Sequence, residues 1–242
     1  HISRDHTERM LQYFGANIEY DGKFTKIIPG GKLSGKDIYV PRDISSAIFF
    51  IVSSLILKDS HVVLKDVGIN KTRSFILGIL KKMGANIEIK NIRQMNNEEI
   101  ADIESYSSNL KAIKVTGDIV PNIIDEIPIL CIAAARAKGL TRIRGAKELR
   151  YKESDRIRGI YTQFKKLGIK IEENEDGLDI YGEYNLEMKG ATLDSFGDHR
   201  MAMSLAVIGL LNKEKVNILN SDCIRNSFPD FFKQLERYLS YG

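Results

Sequence analysis

Lys152, Glu153, Ser154, Asp155 and Arg156 follow one another in the chain, and Asp198, His199, Arg200 and Met201 form a second polar cluster further on. Each stands at the expected start of a helix, where exposed backbone N–H groups and the positive end of the helix dipole attract anions. Arg150, Lys152 and Arg156 set three cations beside Glu153 and Asp155. Cations at a helix start oppose the dipole unless an anion sits among them, so Lys152 and Arg156 point to a bound phosphate or carboxylate. His199 is either a proton carrier near neutral pH or a histidine hydrogen-bonded beneath a loop. A third pair, Asp125 and Glu126, lies between Ile123, Ile124 and Ile127. Burial and mutual repulsion should raise a carboxylate pKa there and make a general base. The alternative is an Asp125 that caps a helix, with Glu126 in solvent.

Repeated elements must position these groups. One pattern is an amphipathic helix that ends in Gly and runs into a strand, at Met10 to Glu19, Ile79 to Glu88 and Phe164 to Glu172. Gly15, Gly84 and Gly168 stand where a helix stop tolerates positive φ. The other pattern is a short strand, an Asp, an apolar helix and a second strand, at Ile38 to Leu64, Ile113 to Ile143 and Ala191 to Leu219. Asp43, Asp125 and Asp198 hold equivalent places as helix caps, and Pro128 falls in the first turn if Asp125 caps. Strands are expected at Tyr39 and Val40, Val62 to Leu64, and Val216 to Leu219, and a helix from about Ser154 to Leu167. The starts recur about every 75 to 80 residues, which suits a βαβαββ module.

Nearly three modules follow residue 36, the last lacking its final strands. The fold class expected is α/β, a pseudo-threefold domain of βαβαββ modules with buried helices inside, sheets outside and helix N-termini aimed at one common face. Gly30, Gly31 and the polar stretch to Lys36 mark the best boundary, making residues 1–33 the tail end of a preceding domain and 34–242 the second one.

Composition bounds the rest. With 242 residues and 43% hydrophobic content the chain can bury a core, and a net charge of +4 fits small acidic molecules as well as nucleic acid, but 36 basic and 32 acidic side chains interspersed without long single-sign runs make nonspecific DNA binding a weak reading. Cys131 and Cys223 offer no metal spacing and no disulfide framework, which fits a reducing cytosol. No run of about eighteen apolar residues calls for a membrane. The absence of an initial Met suggests an excised piece of something longer.

Six ordered motifs now carry a resemblance: SRDHTERML (Ser3–Leu11), DISSAIFF (Asp43–Phe50), IDEIPIL (Ile124–Leu130), LRYKESDRI (Leu149–Ile157), GDHRMAM (Gly197–Met203) and SFPDFF (Ser227–Phe232). Together they resemble the C-terminal half or so of the 5-enolpyruvylshikimate-3-phosphate synthase family. The resemblance implies one of two enolpyruvyl transferase domains that close over substrates between them. It also implies transfer of the enolpyruvyl group of phosphoenolpyruvate to the 5-hydroxyl of shikimate 3-phosphate, in cytoplasmic aromatic amino acid biosynthesis, with no metal or organic cofactor. By motif position Asp125 is the candidate base and a contact of the shikimate hydroxyls, and Glu153 handles protons at the methylene carbon. Ser3 and Lys152 contact shikimate 3-phosphate, while Arg156, His199 and Arg200 serve phosphoenolpyruvate.

Three departures stand out: Asn226 beside Arg225 where some members carry a lysine, Arg42 in place of a Gly, and Glu148 in place of an Asn. The family's N-terminal half is expected as the missing partner, and the chain alone is expected to be inactive. A relative acting on UDP-N-acetylglucosamine lacks the His between the Asp and the Arg, which ranks it lower. A noncatalytic anion-binding module is the alternative of another class, and nucleic acid ranks third.

Overall fold

Residues 4–239 are described by the computed structural model. The chain enters through helix α1 (His6–Phe14) and a hairpin of β1 (Ile18–Tyr20) and β2 (Thr25–Ile27), followed by an irregular stretch to residue 40. Buried Asp5 anchors this segment, accepting from Asn70 at 2.7 Å, Arg9 at 2.8 Å and Thr72 at 3.3 Å.

The first module contains α2 (Ile44–Ile56), β3 (His61–Gly68), α3 (Phe75–Lys82), β4 (Asn86–Met95) and β5 (Glu98–Tyr106), with an antiparallel sheet ordered β3-β5-β4. The second follows the same plan: β6 (Lys114–Val115), the short α4 (Val120–Ile123), α5 (Ile127–Ala135), β7 (Gly139–Ile143), α6 (Arg156–Lys166), β8 (Ile171–Asn174) and β9 (Gly177–Gly182). Its sheet runs β6-β7-β9-β8, parallel at the first pairing and antiparallel at the other two. In the third, β10 (Ala191–Asp194) pairs in parallel with β11 (Val216–Leu219) around α7 (His199–Gly209), and α8 (Phe231–Leu239) follows. The recurring βαβαββ plan matches the expected fold class.

The three modules share one core. Every residue of α5 is buried, as are all but Ser46 of α2 and the run Met201–Ile208 of α7, and these three helices pack on one another in every pairing. Helices with no polar face have no stable place except the interior. α6 instead buries Arg156, Ile157, Ile160, Gln163 and Phe164 at helical spacing and turns its other side to water. Gly15, Gly84 and Gly168 take φ of 101°, 91° and 82°, as anticipated for helix stops.

Several local expectations change. Tyr39 and Val40 form no strand; the first module's opening strand is reduced to a single parallel bridge between Arg42 and Val67. Pro41 has no N–H to give a ladder, and Tyr39 is held instead by its hydroxyl on Asp66 (2.8 Å) and by the Asn96 side chain on its carbonyl (2.6 Å). Asp43 and Asp198 cap their helices, but Asp125 does not: it lies in a 3-10 turn, and α5 begins after Glu126 with Pro128 in its first turn. α6 is capped by Asp155, which accepts from the Arg158 amide at 2.9 Å, so it starts two residues later than expected. Among the described residues no helix is long and apolar enough to cross a membrane.

Candidate active site

The starts of the three inner helices meet. Ser45 in the first turn of α2 donates to Glu126 just ahead of α5 (Oγ–Oε1 2.6 Å), and Arg200 in the first turn of α7 lies 3.6 Å from the same carboxylate oxygen. The convergence follows from the core: packing apolar helices side by side in the same sense gathers their unsatisfied N–H groups at one end.

α6 adds its own first residue to this cluster. Arg156 is 2% exposed and turns its guanidinium onto Asp198, with Nε–Oδ2 at 2.8 Å and Nη2–Oδ1 at 3.3 Å. Asp198 also accepts from the Arg200 and Met201 amides at 2.9 and 3.2 Å and from Ser154 Oγ at 3.2 Å. The anion needed beside the basic start of α6 is therefore supplied first by the protein itself.

Asp125 is the second carboxylate at the cluster. Its Oδ1 lies 3.5 Å from Arg156 Nη1, its Oδ2 lies 2.7 Å from Arg4, and its carbonyl accepts from Arg200 Nη1 at 3.0 Å. Burial alone would raise its pKa, as expected from the flanking isoleucines, but Arg200, Lys152, Arg156 and Arg4 outweigh burial and hold it below the ordinary carboxylate range. The sequence-based expectation of a raised value is corrected by cations that arrive from three distant segments.

His199 Nδ1 and Glu153 Oε2 lie 2.8 Å apart, a hydrogen-bonded pair able to pass a proton, with Glu153 about half exposed. Lys152 pairs with Glu148. The carboxylates of Glu153 and Asp198 and the His199 ring present ligand atoms within 4.8 Å of one another. Both Asp198 oxygens already accept from Arg156, however, and that adjacent guanidinium opposes a cation, so the set is poorly placed to hold a metal ion.

All six described residues predicted for the site come together here: Asp125, Lys152, Glu153, Arg156, His199 and Arg200. Ser3 lies outside the described residues. A cavity of about 330 Å³ opens between Arg4, Arg73, Asp125, Glu126, Glu148 and Lys152. A larger one, about 640 Å³, lies between Phe50, Phe228 and Tyr238 and contains none of the six; the charged cavity is the better match for an anionic ligand. Of the departures, Arg225 has 78% of its side chain exposed, with Asp222 at 3.9 Å as its partner, and Arg42 is spent on the Lys65 carbonyl at 2.9 Å.

Arg4 and Arg73 went unrecognised in the sequence. Arg4 stands inside the SRDHTERML motif, which was the available signal. Arg73 follows an Asn70 side chain that accepts from the Thr72 amide at 2.9 Å, an Asx turn legible only as the string Asn-Lys-Thr.

Comparison with known proteins agrees with this architecture. The family model described as EPSP synthase (3-phosphoshikimate 1-carboxyvinyltransferase) matches residues 1–235. A 3-phosphoshikimate 1-carboxyvinyltransferase of Petrotoga mobilis is 52% identical over 242 residues, covering 98% of this chain and 55% of the relative. One from Geotalea daltonii is 48% identical, with 98% and 54% covered. The solved EPSP synthase of Acinetobacter baumannii superposes with a TM-score of 0.93 at 43% identity, over 97% of this chain and 54% of that one. The enolpyruvyl transferase NikO of Streptomyces tendae shares the fold at a TM-score of 0.71, over 94% of this chain and 51% of that one, with 19% identity. The chain thus spans about half the length of the curated relatives it matches. With a family model spanning residues 1–235 and relatives near half identity, the chain belongs to the EPSP synthase (3-phosphoshikimate 1-carboxyvinyltransferase) family.

Proposed function

We propose that this chain supplies one wall of a site that moves the enolpyruvyl group of phosphoenolpyruvate onto the 5-hydroxyl of shikimate 3-phosphate, releasing phosphate. The observation that carries the reading is the convergence of Arg156 and Arg200 on Asp125, beside the Glu153–His199 pair. Residues 1–33 are read as the end of a preceding domain, and the cytoplasm as the setting.

The chemistry divides among these groups. Asp125 takes the hydroxyl proton as the substrate oxygen attacks C2 of phosphoenolpyruvate, and Glu153, assisted by His199, delivers a proton to the C3 methylene, giving a tetrahedral intermediate. Removal of a C3 proton then breaks the C2–O bond to phosphate and restores the double bond. Arg200 holds phosphoenolpyruvate through a planar fork suited to carboxylate and phosphate, Arg156, whose Nε and Nη2 are taken by Asp198, adds its charge and its Nη1 to that grip, and Lys152 holds the phosphate of the other substrate, with Ser3 assigned there by motif. The low pKa of Asp125 has a role in this scheme. Two bound polyanions neutralise Lys152, Arg156 and Arg200, which lets the Asp125 pKa climb when a proton must be accepted.

A full-length enzyme carrying these residues should release phosphate only when both substrates are present. Asp125→Ala and Arg200→Ala should each cut kcat/KM by roughly a thousandfold. Unchanged turnover in both variants would return the site to a noncatalytic anion-binding module, and thermal protection by UDP-N-acetylglucosamine in place of shikimate 3-phosphate would move it to that other specificity. A polypeptide of the 242 residues alone should turn over negligibly, because orientation and closure supply much of the rate.

A further inference from the structure

The arginines of the cluster pair with buried or half-buried carboxylates: Arg156 with Asp198, Arg4 with Asp125, and Arg200 with Glu126. The last of these pairings has no part in the proton transfers above. Glu126 is 2% exposed, and a carboxylate so deeply placed is costly unless its geometry serves an end that an apolar side chain cannot.

That geometry is defined from several sides. Ser45 Oγ accepts from Arg73 Nη2 and donates to Glu126 Oε1 at 2.6 Å, and Arg73 itself lies 3.8 Å from the same oxygen. The carboxylate is thereby locked between α2 and the turn ahead of α3. Arg200 Nη1 is held on one side by the Asp125 carbonyl at 3.0 Å and on the other by Glu126 at 3.6 Å. Among the described residues both contacts fall on Nη1, leaving the Nε and Nη2 edge of the fork for a bidentate anion.

We propose that Glu126, oriented by Ser45 and Arg73, is a positioning residue that aims the Arg200 guanidinium at the carboxylate or phosphate of phosphoenolpyruvate. The inference rests on the enolpyruvyl transfer reading. Without the buried carboxylate, the guanidinium keeps only the Asp125 carbonyl and can pivot about that one contact; with it, two contacts on Nη1 fix the direction in which the open edge faces the substrate.

The test is steady-state kinetics on a full-length enzyme carrying these residues. Glu126→Gln keeps the shape and the bond from Ser45 but removes the charge. It should raise KM for phosphoenolpyruvate roughly tenfold, with KM for shikimate 3-phosphate moving by less than about twofold. Combining it with Arg200→Ala should leave KM for phosphoenolpyruvate where Arg200→Ala alone puts it, since Glu126 acts through that side chain. Ser45→Ala, which leaves the charge and frees the carboxylate to turn, should raise the same KM by a smaller factor and serves if the Gln variant does not fold. Equal rises in both KM values, additive losses in the double variant, or an unchanged phosphoenolpyruvate KM beside active wild type would each overturn the positioning role alone. An inactive wild type would overturn the activity reading and this inference with it.

Discussion

Arg156 and Asp198 face each other across 2.8 Å with 2% and 0% of their side chains exposed, joining the start of α6 to the start of α7. Asp198 simultaneously caps α7 through two backbone amides. Asp198→Asn retains the shape while leaving a buried guanidinium short of its charge partner. Urea unfolding should register a loss of about 3 to 5 kcal/mol, the range for stranding one member of a buried pair. A loss below about 1 kcal/mol would mean that water or Asp125 compensates Arg156 without Asp198.

The depressed pKa of Asp125 makes stability depend on acid. Its folded value lies below that of an unfolded aspartate, about 3.9. Its contribution is therefore complete above that pH and disappears as pH falls through the lower folded value. Asp125→Asn should weaken the wild-type protein's advantage at neutral pH and flatten the pH dependence of unfolding below about pH 4. An acid limb as steep as before would assign that dependence to other carboxylates.

His6 behaves in the opposite sense. Its hydrogen bond to Glu98, 2.6 Å long, outweighs burial and raises the imidazole pKa. The tie between α1 and β5 is then fully present below the unfolded value of about 6.5 and weakens as pH climbs through the folded one. Hydrogen exchange of the α1 amides, corrected for intrinsic rates, should quicken as pH rises above about 6.5. His6→Gln should remove that dependence; persistence of the same slope would locate the switch elsewhere.

Gly182 lies where β9 presses on the end of α5. A Cβ there would stand 2.0 Å from the Ala134 carbonyl oxygen and 2.3 Å from that of Ala137. Both are backbone atoms of a buried segment, so Gly182→Ala should cost about 3 kcal/mol or more in denaturant unfolding. Gly78, within α3, has nothing within 4 Å of its virtual Cβ, and Gly78→Ala should instead stabilise by about 0.5 to 1 kcal/mol. Equal effects at the two sites would contradict the close approach of β9 to α5.

Much of the plan was legible in local patterns. Wholly apolar helices demanded a common interior, glycine stops marked helix ends, and Asp43 and Asp198 proclaimed their capping roles, because periodicity and capping depend on near neighbours along the chain. Charged strings at helix starts and the six motifs likewise named six residues that meet in one cluster. Local patterns misled where a distant contact outweighed them: Asp125 read either as a desolvated base with a raised pKa or as a helix cap, whereas Arg4, Arg156 and Arg200 come from far along the chain to hold it ionised. Glu126 read equally well as solvent-exposed, and only packing α2, α5 and α7 together placed Ser45, Arg73 and Arg200 around it. The sequence by itself settled which residues carry charge and which helices must be buried. Which carboxylate faces which arginine was decided by tertiary structure, since electrostatic partnership falls off with distance in space and takes no account of separation along the chain.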